Sequence, residues 1–257
     1  MSKFYDKTSM GGALEVFQTT CWSEIHDART RDKVLKTAII DKLLRKYWKP
    51  VYCYLRRKGY SNESAKDLTQ GFFHELVLGR QLIQQADQTK GRFRTFLLTA
   101  LDRYVANVYR KETATKRSSI GRMAKLEAVQ LPDLPKTQSQ AAPDQVFHYA
   151  WASELLDQVL AEVKDDCYQT GKATHWQIFN AKVLGPIFGT GESPSINELC
   201  TKYGIDGEAK ASNMIVTVKR RFRAILKHCL RQFVHSDSEV EEEFNELMKI
   251  LSKSSAR

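Results

Sequence analysis

The stretch from residue 195 to residue 223 reads SINELCTKYGIDGEAKASNMIVTVKRRFR, Ser195 to Arg223. Ser195 and Glu198 have the spacing of a capping box, in which each side chain accepts from the other residue's backbone N–H. Ile196, Leu199, Cys200 and Tyr203 then pattern as a short amphipathic helix. Gly204-Ile205-Asp206 supplies a tight turn with an apolar residue at its centre. A longer helix starts near Gly207, with Ile215, Val218, Phe222, Ile225, Cys229 and Phe233 as its buried stripe. Short helix, glycine turn, apolar plug and long helix is the order of a helix-turn-helix. A basic amphipathic helix packed on its own domain is the plainer reading of the same residues.

The far face of the long helix carries Lys210, Asn213, Thr217 and Arg220, with Arg221 and Arg223 on its flanks. In a helix-turn-helix the first residues of the second helix meet base edges in the major groove. Asparagine pairs bidentately with adenine and arginine with guanine. Lys219, Arg220, Arg221 and Arg223 stand where phosphates would lie, and phosphate contacts add affinity without sequence information.

Outward from this motif the apolar spacing is helical nearly everywhere, with no strand pattern and no internal repeat. Leu35, Ile39, Leu43, Tyr47, Val51 and Leu55 recur every four residues. Pro50 interrupts that helix and predicts a kink, and Gly59 is its stop. Ser61 caps a helix over 62–78 whose inner face is Ala65, Leu68, Phe72 and Leu76. A third helix, 93–111, turns Phe93, Leu97, Leu101, Tyr104 and Val108 inward. Residues 113–143 hold Pro132, Pro135 and Pro143 among Ser, Gln and Thr, which reads as a linker. Asp144 is the N-cap expected for the next helix, with Phe147, Trp151, Leu155, Val159 and Val163 as its stripe. Another helix spans about 173–184, and Gly185, Pro186, Gly189, Gly191 and Pro194 follow as a loop.

The expected fold is therefore all-α: two helical domains on a flexible linker, the second containing the helix-turn-helix. The expected boundaries are an N-terminal extension at 1–30, a helical domain at 31–112, a linker at 113–143, a second domain at 144–235 and an acidic tail at 236–257.

Charge agrees with a polyanionic partner. The 257 residues carry a formal net charge of +10. From Lys90 to Lys125 ten basic residues face only Asp102 and Glu112. From Ala209 to Gln232 seven basic residues face no acid, and from Ser236 to Leu247 six acids face no base. Two separate basic stretches on helical patterns argue for nucleic acid more than one would. The stretch from Glu239 to Leu251 patterns as an acidic amphipathic helix. It can fold back on a basic face or stand solvated.

Little points to catalysis. Gly171-Lys172 lacks the first glycine of a phosphate loop and no strand precedes it. No HExxH, nucleophile elbow or carboxylate pair emerges, so no enzyme and no cofactor is expected. Cys21, Cys53, Cys167, Cys200 and Cys229 are too scattered for a metal knuckle and read as small buried apolar residues in a reducing compartment. No metal site is expected. No apolar run reaches the roughly 18 residues of a membrane span, and Met1 to Met10 lacks an apolar core for a secretory signal. A cytoplasmic location without membrane contact follows.

In the first domain, Asp67, Gln70 and Glu75 leave polar groups outside the apolar stripe of helix 62–78. They suit docking on a protein, or plain solvation. Helix 93–111 sets Phe93, Phe96, Tyr104 and Tyr109 beside Arg92, Arg94, Arg103, Arg110 and Lys111. Basic groups can track a backbone and aromatics can stack on unpaired bases. Most of these aromatics read as core, and Tyr109 is the one placed for a base.

Taken in order, these segments resemble a known family. Tyr47-Trp48-Lys49-Pro50-Val51-Tyr52, Arg56-Arg57-Lys58-Gly59-Tyr60-Ser61 and Asp67-Leu68-Thr69-Gln70-Gly71-Phe72-Phe73 resemble the second conserved region of bacterial RNA polymerase sigma factors of the extracytoplasmic-function (ECF) type. Gly91-Arg92-Phe93-Arg94-Thr95-Phe96-Leu97 resembles its continuation. Phe17-Gln18-Thr19-Thr20-Cys21-Trp22-Ser23 resembles the opening of a planctomycete-like subgroup, and Ala211 to Arg223 that subgroup's fourth region. The resemblance implies a sigma factor that binds core RNA polymerase and directs promoter-specific initiation. It implies that Asp67, Gln70, Phe72 and Glu75 dock on the clamp helices of the beta-prime subunit, with the beta subunit as a further partner. It implies that Arg103, Asn107, Arg110 and Lys111 read the minus-ten element. Lys210, Asn213, Thr217, Lys219, Arg220, Arg221 and Arg223 would then meet the minus-thirty-five element of promoter DNA. An anti-sigma or other inhibitory partner would restrain the idle protein. The rival reading is a helix-turn-helix regulator, or a sigma-like protein that does not itself initiate.

Overall fold

The computed structural model describes residues 33–78, 92–115, 141–187, 193–231 and 237–255. All regular structure among them is helical. In chain order the helices are α1 (Lys33–Arg57), α2 (Asn62–Leu78), α3 (Phe93–Thr115), α4 (Pro143–Gln169), α5 (Ala173–Phe179), α6 (Ile196–Tyr203), α7 (Glu208–Arg231) and α8 (Asp237–Ser255). The expected extension at 1–30, residues 116–140 of the expected linker, and the side chains of Leu35, Ile39, Leu43, Leu76 and Phe233 lie outside the described residues.

The chain divides into two compact units, Met1–Trp151 and Ala152–Arg257. The expected second domain opens at Asp144, but the division falls inside α4. The first turns of that helix explain why. Val146 and Ala150 pack on Cys53 of α1, and Phe147 lies 6.5 Å from both Tyr47 and Tyr54. Sequence periodicity shows that these side chains are buried but not against which partner.

In the first unit, α1 continues through Pro50, which supplies no N–H to the ladder. The helix stops as its sequence predicts. Gly59 takes φ 99°, its N–H bonds the Arg56 carbonyl, and the Tyr60 N–H reaches back to Leu55. This is the Schellman pattern, which uses up the last carbonyls of a helix. Ser61 then caps α2 by accepting from the Ser64 N–H at 3.1 Å. An aromatic core fills the space beneath: Tyr47 meets Phe93 at 5.6 Å, and Phe72 meets Phe73 at 5.4 Å and Tyr104 at 5.6 Å.

In the second unit, Leu155, Val159, Val163 and Cys167 of α4 are buried, as are Trp176, Ile178 and Phe179 of α5. Helix α7 packs on α5, α6 and α8. The start of α4 corrects one expectation. Pro143 occupies the first helical position, where its missing N–H costs nothing. Gln145 accepts from the Ala142 N–H, and Asp144 lies in the first turn, facing the positive end of the dipole. Two further ends differ. Helix α3 runs on to Thr115, into the expected linker. Gly185–Ile187, expected as loop, continue helically from a π-helical turn at Asn180–Leu184.

Candidate nucleic-acid interface

The Ser195 motif forms as its residues dictate. The Ser195 hydroxyl accepts from the Glu198 N–H at 3.1 Å, and the Glu198 carboxylate accepts from the Ser195 N–H at 2.9 Å. Both halves of the capping box are present. Just before it, Lys182 donates to the Pro194 carbonyl at 2.7 Å, which fixes where the chain enters α6. Gly204 ends α6 in the left-handed region, φ 62° and ψ 43°. The N–H of Ile205 then bonds the Cys200 carbonyl at 2.9 Å, and Gly207 donates to Ile205 at 3.0 Å. A side chain in the left-handed conformation costs roughly 1–2 kcal/mol, so glycine suits this turn.

Leu199 and Cys200 of α6 and Ala211, Ile215, Val218, Ile225, Leu226, Cys229 and Leu230 of α7 are buried. The apolar centre of the turn, Ile205, and the expected core residue Phe222 are half-buried. With its other face held in the core, α7 turns Lys210, Asn213, Thr217, Lys219, Arg220, Arg221 and Arg223 to solvent. Residues 210, 213, 217 and 220 follow the three-and-four spacing of one helical stripe. Within it, Thr217 donates its hydroxyl proton back to the Asn213 carbonyl at 2.8 Å, leaving its oxygen as an acceptor.

The cations of α7 differ in what holds them. Arg221 pairs with Asp166 of α4. Arg223 lies over the Phe244 ring of α8, 5.4 Å from its centroid. Lys227 pairs with Glu241 of α8. Neither the Asp166 pairing nor the ring over Arg223 has a sequence signal, because their partners sit far away in the chain. The acidic run could have pointed to α8, and the fold-back reading of the tail is the arrangement found.

In the first unit, α3 turns Arg103, Asn107, Arg110 and Lys111 to solvent, together with Tyr109, which is 59 % exposed. Phe93, Leu97, Leu101 and Val105 occupy the opposite face. Arg94, grouped with the basic residues in the sequence, is 4 % exposed and stacks 4.5 Å over the Trp151 ring. It is part of the core. Trp151 comes from α4, so adjacency along α3 could not reveal this.

On α2, Asp67, Gln70 and Glu75 are exposed. Phe72 is not with them: it is 0 % exposed beneath Phe73 and Tyr104. Its place in the docking set is corrected to a support for that face. The helical spacing that put Phe72 in the apolar stripe already conflicted with a surface role.

Cys53, Cys167, Cys200 and Cys229 are buried and form no disulfide among the described residues, and Cys21 lies outside the described residues. Burial pushes the Cys167 thiol up, and Asp166 beside it adds to this. Burial, with help from Lys172, pushes His175 down. Among the described residues no cluster of His, Cys, Asp or Glu could hold a metal ion. No described helix is long and apolar enough to cross a membrane. No protein-family model, curated protein or solved structure matches the chain.

Proposed function

We propose that this chain is a DNA-binding sigma factor of the ECF type, which docks on core RNA polymerase and directs it to promoters. The observation that carries the reading is the exposed stripe of Lys210, Asn213, Thr217 and Arg220 on α7, behind a capped α6 and a left-handed Gly204. That geometry supports a helix-turn-helix in which α7 enters the major groove. Asn213 supplies the hydrogen-bonding type that reads an adenine edge. Lys219 and Arg220 form no ion pair among the described residues and suit phosphates, as does Lys210.

The sigma reading, as distinct from a general DNA binder, rests on the resemblance and on the first unit. A second basic face there, Arg103, Asn107, Arg110 and Lys111 with exposed Tyr109, fits contact with an opened strand, where an aromatic ring can stack on an unpaired base. Asp67, Gln70 and Glu75 form a polar face on a helix whose other side is fixed by Phe72 and Phe73, which suits docking on a protein. In this reading each of the two units is a DNA-reading domain.

The test is capture of purified bacterial core RNA polymerase by the full chain, wild type against Asp67→Ala with Gln70→Ala. Binding by the wild type, weakened by the double substitution, is expected. No binding by a folded wild type that still binds duplex DNA would leave a helix-turn-helix regulator as the better account.

A further inference from the structure

We infer that α8 is an intramolecular competitor for the phosphate-binding flank of α7. This rests on the DNA-binding reading above. Three observations carry it. Helix α8 opens with Asp237, Glu239, Glu241, Glu242, Glu243 and Glu246, the most acidic stretch of the chain. It packs along α7, with Val240 and Leu247 buried and Glu243 only 1 % exposed. Two of its side chains fall on cations beside the proposed reading face: Glu241 pairs with Lys227, and Phe244 lies under the Arg223 guanidinium.

Helical geometry makes the competition steric as well as electrostatic. At 100° per residue, Arg223 and Lys227 sit on the same side of the stripe formed by Lys210, Asn213, Thr217 and Arg220. A backbone following that side of α7 would run where α8 lies and would meet its carboxylates. Each anchor is weak by itself. A largely exposed ion pair contributes little, and a cation over a half-buried ring somewhat more. The apolar seam of Val240 and Leu247 holds α8 in place, and the weak anchors make it displaceable. The arrangement lowers affinity for any duplex while sparing the base-reading residues. DNA that engages Arg220 and Asn213 well enough displaces α8 and gains two further cations.

The experiment compares the full chain with Glu241→Gln, with Glu241→Gln plus Phe244→Ala, and with Glu242→Gln. Glu241→Gln and Glu242→Gln change the charge equally. Residue 242 is exposed on the side of α8 away from Val240 and Leu247, whereas Glu241 pairs with Lys227 of α7. Binding of mixed-sequence duplex DNA is measured by fluorescence anisotropy across a salt series. The double substitution is expected to tighten binding about three- to tenfold and to steepen the salt dependence by about one to two phosphate contacts. Glu241→Gln gives part of the effect and Glu242→Gln much less. Amide exchange in α8 of the wild type is expected to quicken when DNA is added.

Equal gains from Glu241→Gln and Glu242→Gln, or α8 exchange that DNA leaves unchanged, would overturn the competition while leaving DNA binding intact. Absence of DNA binding in every variant would overturn the underlying reading as well.

Discussion

The Tyr54 hydroxyl of α1 donates to the Asp102 carboxylate of α3 at 2.7 Å, across a sequence separation of 48 residues. Lys58 donates to the same oxygen at 2.6 Å, so one carboxylate ties the end of α1 to the middle of α3. Burial, and then the bond to Asp102, push Tyr54 up from 10.0 to about 12. Lys58 is pulled down by burial, but its bonds to Asp102 and Tyr54 outweigh this and its net shift is upward.

Both groups therefore prefer their protonated form in the folded state. The Tyr54 contribution is fully present below pH 10.0 and is lost as pH rises toward about 12, and the Lys58 contribution is likewise lost on the alkaline side. Urea midpoints of the wild type should fall through that window. Tyr54→Phe should start lower by about 1 kcal/mol for the lost hydrogen bond and fall less steeply. Identical slopes for the two proteins would remove Tyr54 from the alkaline transition.

Gly71 makes a different prediction on the neighbouring pair of helices. It sits inside α2, where alanine would ordinarily stabilise by about 1 kcal/mol. A Cβ built there runs into the Tyr104 hydroxyl. Gly71→Ala should therefore destabilise the first unit by about 1–3 kcal/mol. Tyr104→Phe should rescue it, because the remaining ring carbon lies 3.4 Å from that Cβ, a close contact that a small shift relieves. The measurement is a double-mutant cycle in urea. Strict additivity of the two substitutions would mean that the close approach does not matter.

Helix α6 should respond to the signals at its two ends. Ser195→Ala removes the capping acceptor and should cost about 0.5–2 kcal/mol. Gly204→Ala places a side chain in the left-handed region and should cost roughly 1–2 kcal/mol. Amide exchange of α6 would report both. Unchanged protection at Leu199 and Cys200 in Ser195→Ala would show that the cap is dispensable.

Two residues on α7 should separate affinity from selectivity. If Arg220 meets a phosphate, Arg220→Ala weakens binding to all duplexes and lowers the salt slope by about one. If Asn213 reads a base, Asn213→Ala leaves that slope alone and costs about 1–3 kcal/mol on the preferred sequence only. Selection from a random duplex pool, followed by salt titration, checks both. A uniform loss from Asn213→Ala would remove its reading role.

The sequence by itself determined the helix ends that carry a capping or turning signal, because capping and turning are local; the start of α4 and the ends at Thr115 and Ile187 differed from it. Ser195 with Glu198, Ser61, Gly59 and Gly204 each act within a few residues of themselves, and the structure places each as its neighbours require. It also determined which face of each helix is apolar, so the outward positions of Arg103, Asn107, Lys210, Asn213 and Arg220 were legible. What only the tertiary structure decided is which distant groups share a space. Arg94 is basic, but Trp151 from α4 makes its place a core one. Phe72 had to choose between docking and burial, and Tyr104 from α3 settles it inside. Arg221, Arg223 and Lys227 look alike along α7, yet Asp166, Phe244 and Glu241 engage them from two other helices. Desolvation and charge pairing act through space, and a helical period fixes a side chain's direction without naming what stands opposite.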